Sequence, residues 1–279
     1  MEKVFWDGPD FSLSQTLECG QCFCYRKKED NLYTVISGQR KITLGQAGDS
    51  ILFYGDADIP YWKEYFDVER DYQKIKQKLS GGDPVLAEAI TFAPGIRILK
   101  QDFFEMLLSF ILSQNNHIPR IRGLIQRLSA AYGTPLAEGG YSFPAPTQLF
   151  GVSEDTYRQL GCGFRGRYLA DAVEKVLAGG FMPEDLEKLS TEDLRQRLMS
   201  ICGVGQKVAD CILLFSFGRY EVFPMDVWIN RVYSHAYCDG KKLSPKELQA
   251  EAAKRFGTYA GFAQQYLFYY GREKKIGKG

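Results

Sequence analysis

The chain has 279 residues, 45% hydrophobic and 25% charged, an ordinary globular composition with ample material for a core. Its 35 basic and 34 acidic residues nearly cancel, which excludes a partner held by overall charge but not one held by a local basic patch. Seven cysteines are an odd count for a disulfide framework, no signal-peptide pattern opens the chain and no apolar run reaches membrane-spanning length, so a reducing, intracellular setting is expected.

The first ninety or so residues read as strand-rich. "CGQCFC" brings Cys19, Cys22 and Cys24 close together without a second pair or a histidine at zinc-ligand spacing, and the simpler reading is small strand residues. "NLYTVISG", "KITLG" and "SILFYG" are β-prone runs between glycine-containing turns, the pattern of an antiparallel meander. Tyr61 to Leu79 is long, charged and helix-compatible, and "SGGDP" then breaks the chain.

After Gly95 the pattern is helical. Phe103 to Gln114 is apolar on nearly every side, which predicts a buried helix ended by Asn115 and Asn116. Pro119 can open the next helix, which carries Arg120, Arg122 and Arg127. "GCGFRGRY" interrupts two further helical runs. Ser190 and Asp193 fit a capping box before the one-face stripe Leu194, Leu198 and Ile201. The expected fold is α+β, with an antiparallel β-rich domain over residues 1–95 and a mainly helical domain over 96–279.

Gly203, Val204 and Gly205 leave room for only a hairpin, near residues 202–207, between that stripe and the next one, Val208, Ile212 and Phe215. Glycine permits positive φ and close backbone approach. The helix beginning there presents unpaired N–H groups suited to a phosphodiester. Taken alone, G-x-G is most simply a packing corner. Two residues add chemistry. Lys207 sits at the start of the new helix, where the dipole disfavours its charged form and favours a nucleophilic amine. Asp226, in "VFPMDVWINRV", is both a natural N-cap and a carboxylate able to stabilise a cationic sugar.

"GVGQKVADC" followed by "PMDV" resembles the helix–hairpin–helix DNA glycosylase superfamily, and within it the 8-oxoguanine DNA glycosylase branch. "ECGQCF", "GIRILKQDFFE", "SFILSQNNHIPRI", "GCGFRGRY" and "YAGFAQQYLF" run in the same order from about residue 18 to 270. The resemblance implies a twisted antiparallel β-domain joined to a helical glycosylase domain. It implies an enzyme that flips oxidised guanine from damaged double-stranded DNA, cuts its glycosidic bond and nicks the strand by β-elimination. Lys207 resembles the Schiff-base nucleophile and Asp226 its supporting carboxylate. Gly20 resembles the glycine whose carbonyl accepts the imino hydrogen that guanine lacks. Cys211 and Phe268 resemble the walls that sandwich the base, Gln264 the group on its Watson–Crick edge, and Pro224 part of the pocket. Asn115, Arg120 and Arg165 resemble the residues that fill the gap and read the orphaned cytosine, with Phe164 as a wedge.

The pattern departs from the family at two places. Phe164 stands where a tyrosine is common, and Trp228 where a phosphate-contacting histidine is expected. Cys238 is the last cysteine and stands alone, so no iron–sulfur cluster is expected. No cofactor is required by imine chemistry, although the hairpin carbonyls could hold a structural monovalent cation. A monomer without membrane attachment is expected, in the cytoplasm or nucleoid of a prokaryote or the nucleus of a eukaryote. Two rivals stay open: a glycosylase of the same superfamily for another damaged base, and a non-catalytic hairpin DNA-binding protein. The basic terminus "REKKIGKG" reads as a solvated, frayed end.

Overall fold

A computed structural model describes residues 2–55, 57–137, 139–238 and 243–276, so the last three residues of the basic terminus lie outside the described residues. Five antiparallel strands form one sheet in the order β1-β5-β4-β3-β2: β1 (Glu2–Asp7), β2 (Tyr25–Glu29), β3 (Leu32–Ser37), β4 (Arg40–Ala47) and β5 (Ser50–Tyr54). The three predicted runs are β3, β4 and β5, paired so that Leu44 faces Tyr33 on one side and Phe53 on the other. Helices α1 (Leu13–Glu18) and α2 (Ile59–Tyr65) share a core with the sheet, through Leu13, Leu17, Trp62 and Tyr65.

Two stretches of the chain fold differently from their local sequence pattern. Tyr61 to Leu79 is not one helix. α2 stops at Phe66, Asp67 takes a φ of 50°, and α3 (Tyr72–Ser80) restarts from Asp71, whose carboxylate accepts from the Lys74 N–H. The Asp67 carboxylate fixes the break by accepting from Arg70 at 2.6 Å and from the Tyr72 hydroxyl at 3.0 Å. Aspartate side chains compete with the helical backbone in this way. The clustered cysteines are not strand residues either. Cys19 caps the end of α1, and Cys22 and Cys24 occupy the loop leading to β2. Cys19 Sγ accepts from Gln21 and Gln265 side chains, and Cys22 meets the Tyr65 hydroxyl, so each thiol has its own protein partner.

The remaining helices are α4 (Pro84–Phe92), α5 (Phe103–Ser113), α6 (Ile118–Tyr132), α7 (Glu154–Gln159), α8 (Gly166–Lys175), α9 (Pro183–Leu186), α10 (Thr191–Met199), α11 (Gln206–Phe215), α12 (Val227–Tyr237), α13 (Pro245–Phe256) and α14 (Ala260–Glu273). α5 is buried from Phe103 to Leu112, as its all-round apolar sequence requires. It lies against α6, α8 and α11, while α14 packs on α4 and α12. The two cores interleave along the chain: Tyr72, Ile75, Leu86 and Ile90 belong to the helical core, and Leu99 to the sheet core. Ser190 does cap α10, but the predicted reciprocal box is altered. Its hydroxyl accepts from the Asp193 N–H and donates to the Asp193 carboxylate, so Asp193 does not reach back to the Ser190 backbone.

Inside α5 both carboxyl oxygens of Glu105 are buried, with only weak contact to the Cys24 thiol and the Gly38 backbone. Burial pushes this group up from 4.5 to about 8; the nearby Cys24 thiol opposes the rise and Asp102 adds to it. The folded chain therefore holds an extra proton between those two values. Stability linked to Glu105 is fully present below the unfolded value and is lost as pH climbs towards the folded one. Glu105→Gln keeps the shape and discards the charge. It is expected to raise Tm more at about pH 8 than at about pH 5, and equal changes at both would contradict the buried acid.

Candidate active site

The hairpin between α10 and α11 is built by one constrained glycine and one free one. Gly203 has a φ of 80°, and a Cβ there would lie 2.4 Å from the Tyr168 ring, so only glycine fits. Its carbonyl accepts from Gln114 Nε2 at 3.0 Å, which ties the hairpin to the end of α5. Val204 is buried and anchors the turn in the core. Gly205 does not use the positive φ that glycine permits: it is extended, with φ −92° and ψ 179°. A Cβ on Gly205 would meet nothing within 4 Å, so the missing side chain leaves the outer face open instead of relieving strain. No side chain caps α11, whose first N–H groups remain available to an anion.

Lys207 lies in the first turn of α11 and is half-buried. Its Nζ donates to Ser113 Oγ at 3.2 Å and sits 5.1 Å from the Phe110 ring centre. Ser113 Oγ donates its own proton to the Phe110 carbonyl at 2.7 Å, which leaves it only an acceptor towards the lysine. Asp226 caps α12 by accepting from the Ile229 N–H at 2.8 Å, as its local sequence predicts. That bond aims the carboxylate. Burial raises its pKa above the ordinary aspartate value, opposed by the Ile229 N–H and then by the charge of Lys207. The amine thus donates to Ser113 rather than to Asp226, whose charge it feels across a shared cavity.

That cavity, of about 430 Å³, is lined by Lys207, Asp226, Gly20, Cys211, Pro224, Gln264 and Phe268, which brings together every residue expected in catalysis or base binding. At Gly20 the φ of 98° and three crowding groups both demand glycine. A Cβ would stand 3.1 Å from Phe268 Cε1, 3.1 Å from Ile118 Cδ1 and 3.2 Å from Arg272 Nη1. Gln264 is buried. Its Nε2 donates to the Pro224 carbonyl at 3.2 Å, while its Oε1 has no partner. The Pro224 bond thus holds the amide in the cavity wall. Burial pushes the Cys211 thiol up to about 12, making it a neutral, apolar wall.

The residues expected to touch the surrounding DNA lie outside this cavity. Asn115, with a φ of 48°, lines an adjoining groove of about 800 Å³ that also contains Lys207, Asp226 and Arg231. Arg120 is exposed in the first turn of α6. Phe164 is 44% exposed and packs edge-on against Tyr168. Arg165 is not a free surface group. It is buried, donating to the carbonyls of Gln114, Asn115 and Cys162, and so braces the loop that carries Asn115.

The cavity also contains residues that the sequence reading missed: Ser113, His117, Gln265 and Arg272. Ser113 gave no signal, being a small polar residue in an apolar helix. Arg272 could have been found, since Gln264, Phe268 and Arg272 follow at i, i+4 and i+8 on one face of α14.

Residues 3–107 match the family described as 8-oxoguanine DNA glycosylase, N-terminal domain. Residues 108–257 match the HhH-GPD superfamily of base excision DNA repair proteins. The N-glycosylase/DNA lyase OGG1 of Arabidopsis thaliana is 31% identical over 93% of this chain and 77% of its own. A solved structure of the Clostridium acetobutylicum 8-oxoguanine glycosylase/lyase, in complex with double-stranded DNA containing cytosine opposite 8-oxoG, is 36% identical. It superposes with a TM-score of 0.92 and covers 99% of each chain. MBOgg1, solved in complex with a low-affinity DNA ligand, is 43% identical with the same TM-score and covers 99% of both chains. This chain belongs to the 8-oxoguanine DNA glycosylases of the helix–hairpin–helix superfamily.

Proposed function

We propose that this protein is a bifunctional glycosylase and lyase that removes 8-oxoguanine from duplex DNA and then cuts the strand. One observation carries the reading: Lys207 and Asp226, supplied by two different helices, enter a single cavity with Gly20, Gln264 and Phe268. A stacked base hides its anomeric carbon, so the damaged nucleotide must be everted into that cavity. Phe268 and Cys211 would flank the ring. The Gly20 carbonyl would accept the N7–H that only the oxidised base has, and the Gln264 Oε1 would accept from its N1–H and amino group. Guanine would instead present a lone pair to the Gly20 carbonyl.

Lys207 Nζ attacks C1′, and the C1′–N9 electrons leave with the base. Asp226 stabilises positive charge on the sugar as that bond breaks. Loss of the amine proton and sugar-ring opening give the imine. Removal of a C2′ proton then expels the 3′ phosphate, which is the strand-cutting step. The uncapped N-terminus of α11 and open Gly205 would hold a phosphodiester of the same strand. Asn115 and Arg120 would fill the space left by the everted base, positioned by Arg165, with Phe164 as the wedge. The hairpin carbonyls would accommodate a structural monovalent cation, and the enzyme would act as a monomer with no required cofactor. Among the described residues no helix is long and apolar enough to cross a membrane. Work on DNA places the protein inside the cell, in the cytoplasm or nucleoid of a prokaryote or the nucleus of a eukaryote.

Borohydride reduction in the presence of a duplex with 8-oxoguanine opposite cytosine is expected to yield a covalent complex with the intact protein and none with Lys207→Gln. Trapping by that variant would place the nucleophile elsewhere. Preference for another damaged base would point to a different glycosylase, and binding without trapping to a non-catalytic DNA-binding protein. Affinity for the duplex should fall steeply with added salt as phosphate contacts release counterions; a flat response would remove duplex DNA as the partner.

Excision needs Asp226 ionised, and burial raises its pKa. The rate should therefore decline on the acid side at a pH above the ordinary aspartate range. Asp226→Asn is expected to slow excision roughly 10²–10³-fold and to abolish that acid limb. An unchanged pH–rate profile in the variant would dismiss the carboxylate.

A further inference from the structure

Gly20 has no side chain, so whatever it does in the cavity depends on where its main chain stands. Both of its neighbours, Cys19 and Gln21, are fully buried. Gln21 is tied to the segment before α5. Its Oε1 accepts from the Leu99 N–H at 2.9 Å, its Nε2 donates to the Arg97 carbonyl at 2.7 Å, and its own carbonyl accepts from Gln101 Nε2 at 2.9 Å. Cys19 is tied to the opposite side, towards α14. Its thiol donates to the Thr16 carbonyl at 3.1 Å, and its sulfur accepts from Gln21 Nε2 at 3.2 Å and from Gln265 Nε2 at 3.0 Å. Burial raises the thiol pKa, with the Gln265 bond the first influence against it, so the sulfur keeps its proton and this pattern of bonds.

Gln265 is the member of this chain of contacts that the chemistry above does not use. It is buried on α14, lines the cavity and follows directly on Gln264. The two adjacent amides reach different walls. Gln264 Nε2 donates to the carbonyl of Pro224, two residues before Asp226, while Gln265 Nε2 donates to Cys19, one residue before Gly20. One helix thus fixes two sides of the cavity at once. A second tie joins α14 to the same segment, from Arg272 Nη2 to the Glu18 carbonyl at 2.9 Å. A hydrogen bond between the Gly20 main chain and a bound base has a working range of only about half an ångström, so a segment free to drift would lose it.

We propose that Gln265, acting through the Cys19 sulfur, sets the position of the Gly20 main chain against α14 and so sharpens the choice of 8-oxoguanine over guanine. Gln265 is a positioning residue for specificity and touches neither the base nor the sugar. The assignment rests on the 8-oxoguanine reading given above, in which the Gly20 carbonyl accepts the N7–H. A hydrocarbon side chain at this place would fill the same space but would fix no distance to the sulfur, which is what a directional donor adds.

The test measures equilibrium binding to an 8-oxoguanine:cytosine duplex and to a guanine:cytosine duplex, in a Lys207→Gln background so that no base is removed. Gln265→Met, similar in size but without the amide donor, is expected to reduce the preference for the lesion roughly three- to tenfold. The loss falls on the lesion duplex, because binding to the guanine duplex rests on phosphate contacts. Cys19→Ala shows at least the same loss, and adding Gln265→Met to it has no further effect, as for two partners in one bond. Cys19→Ser, whose hydroxyl donates and accepts as the thiol does, keeps most of the preference. Undiminished preference in Gln265→Met overturns the assignment, as does a full additional loss when that change is added to Cys19→Ala. An equal fall in affinity for both duplexes also overturns it, by showing that the contact only supports the fold. A Lys207→Gln parent that binds the two duplexes alike removes the substrate reading itself, and the assignment with it.

Discussion

The C-terminal end of the buried helix α5 is the point on which the site depends. Ser113 accepts from the Lys207 amine, the Gln114 side chain binds the Gly203 carbonyl, and the Gln114 carbonyl receives Arg165. Three successive pieces of the site are thus referred to one rigid element: the Lys207 amine, the hairpin and the loop at Asn115. α5 can serve this way because Phe103 to Leu112 are all buried. A helix packed on every side has no freedom to shift, and close-packed interiors transmit position faithfully. An amine held by a side-chain hydrogen bond on such a base keeps its position with little reorganisation.

The cavity itself is arranged as an apolar slot with a few polar groups at defined places. Cys211 and Phe268 supply bulk, and the thiol stays neutral because burial disfavours its anion. Asp226 is also largely desolvated, yet it is aimed by the N–H of Ile229 and feels the opposite charge of Lys207. The carboxylate is not consumed in a short ion pair with the lysine. A tight pair would hold the amine protonated and orient both groups on each other instead of on a sugar.

Much of this was legible in the sequence because the decisive segments are local. The run from Phe103 to Gln114, the glycine hairpin and the Asp226 cap each follow from a few adjacent residues, and each is found where it was expected. What escaped depends on distant partners. Nothing near Tyr61 to Leu79 announces that Asp67 will bind Arg70 and Tyr72 and split the helix. Cys19 looks like a strand residue until Gln265, far along the chain, is seen donating to its sulfur. Arg165 is expected among the residues that read the orphaned cytosine, but nothing local announces that three carbonyls bury its guanidinium. The two glycines of the hairpin look alike in sequence, but only Gly203 has the positive φ and the crowding ring of Tyr168.

Buried polar atoms without partners occur in several parts of this molecule, and they do not all mean the same thing. The hydroxyls of Ser109 and Tyr157 and the carboxyl of Glu105 face packed protein. For Glu105 the consequence is a neutral acid, since shedding charge is the cheapest response to burial in a closed core. A guanidinium has no such escape, because it stays charged at any accessible pH. Gln264 and Arg272 differ again, because both residues line the cavity on either side of Phe268 in α14. Their bonds to the Pro224 and Glu18 carbonyls fix where each side chain stands in the cavity wall, which closed-core groups such as Ser109 have no means to share.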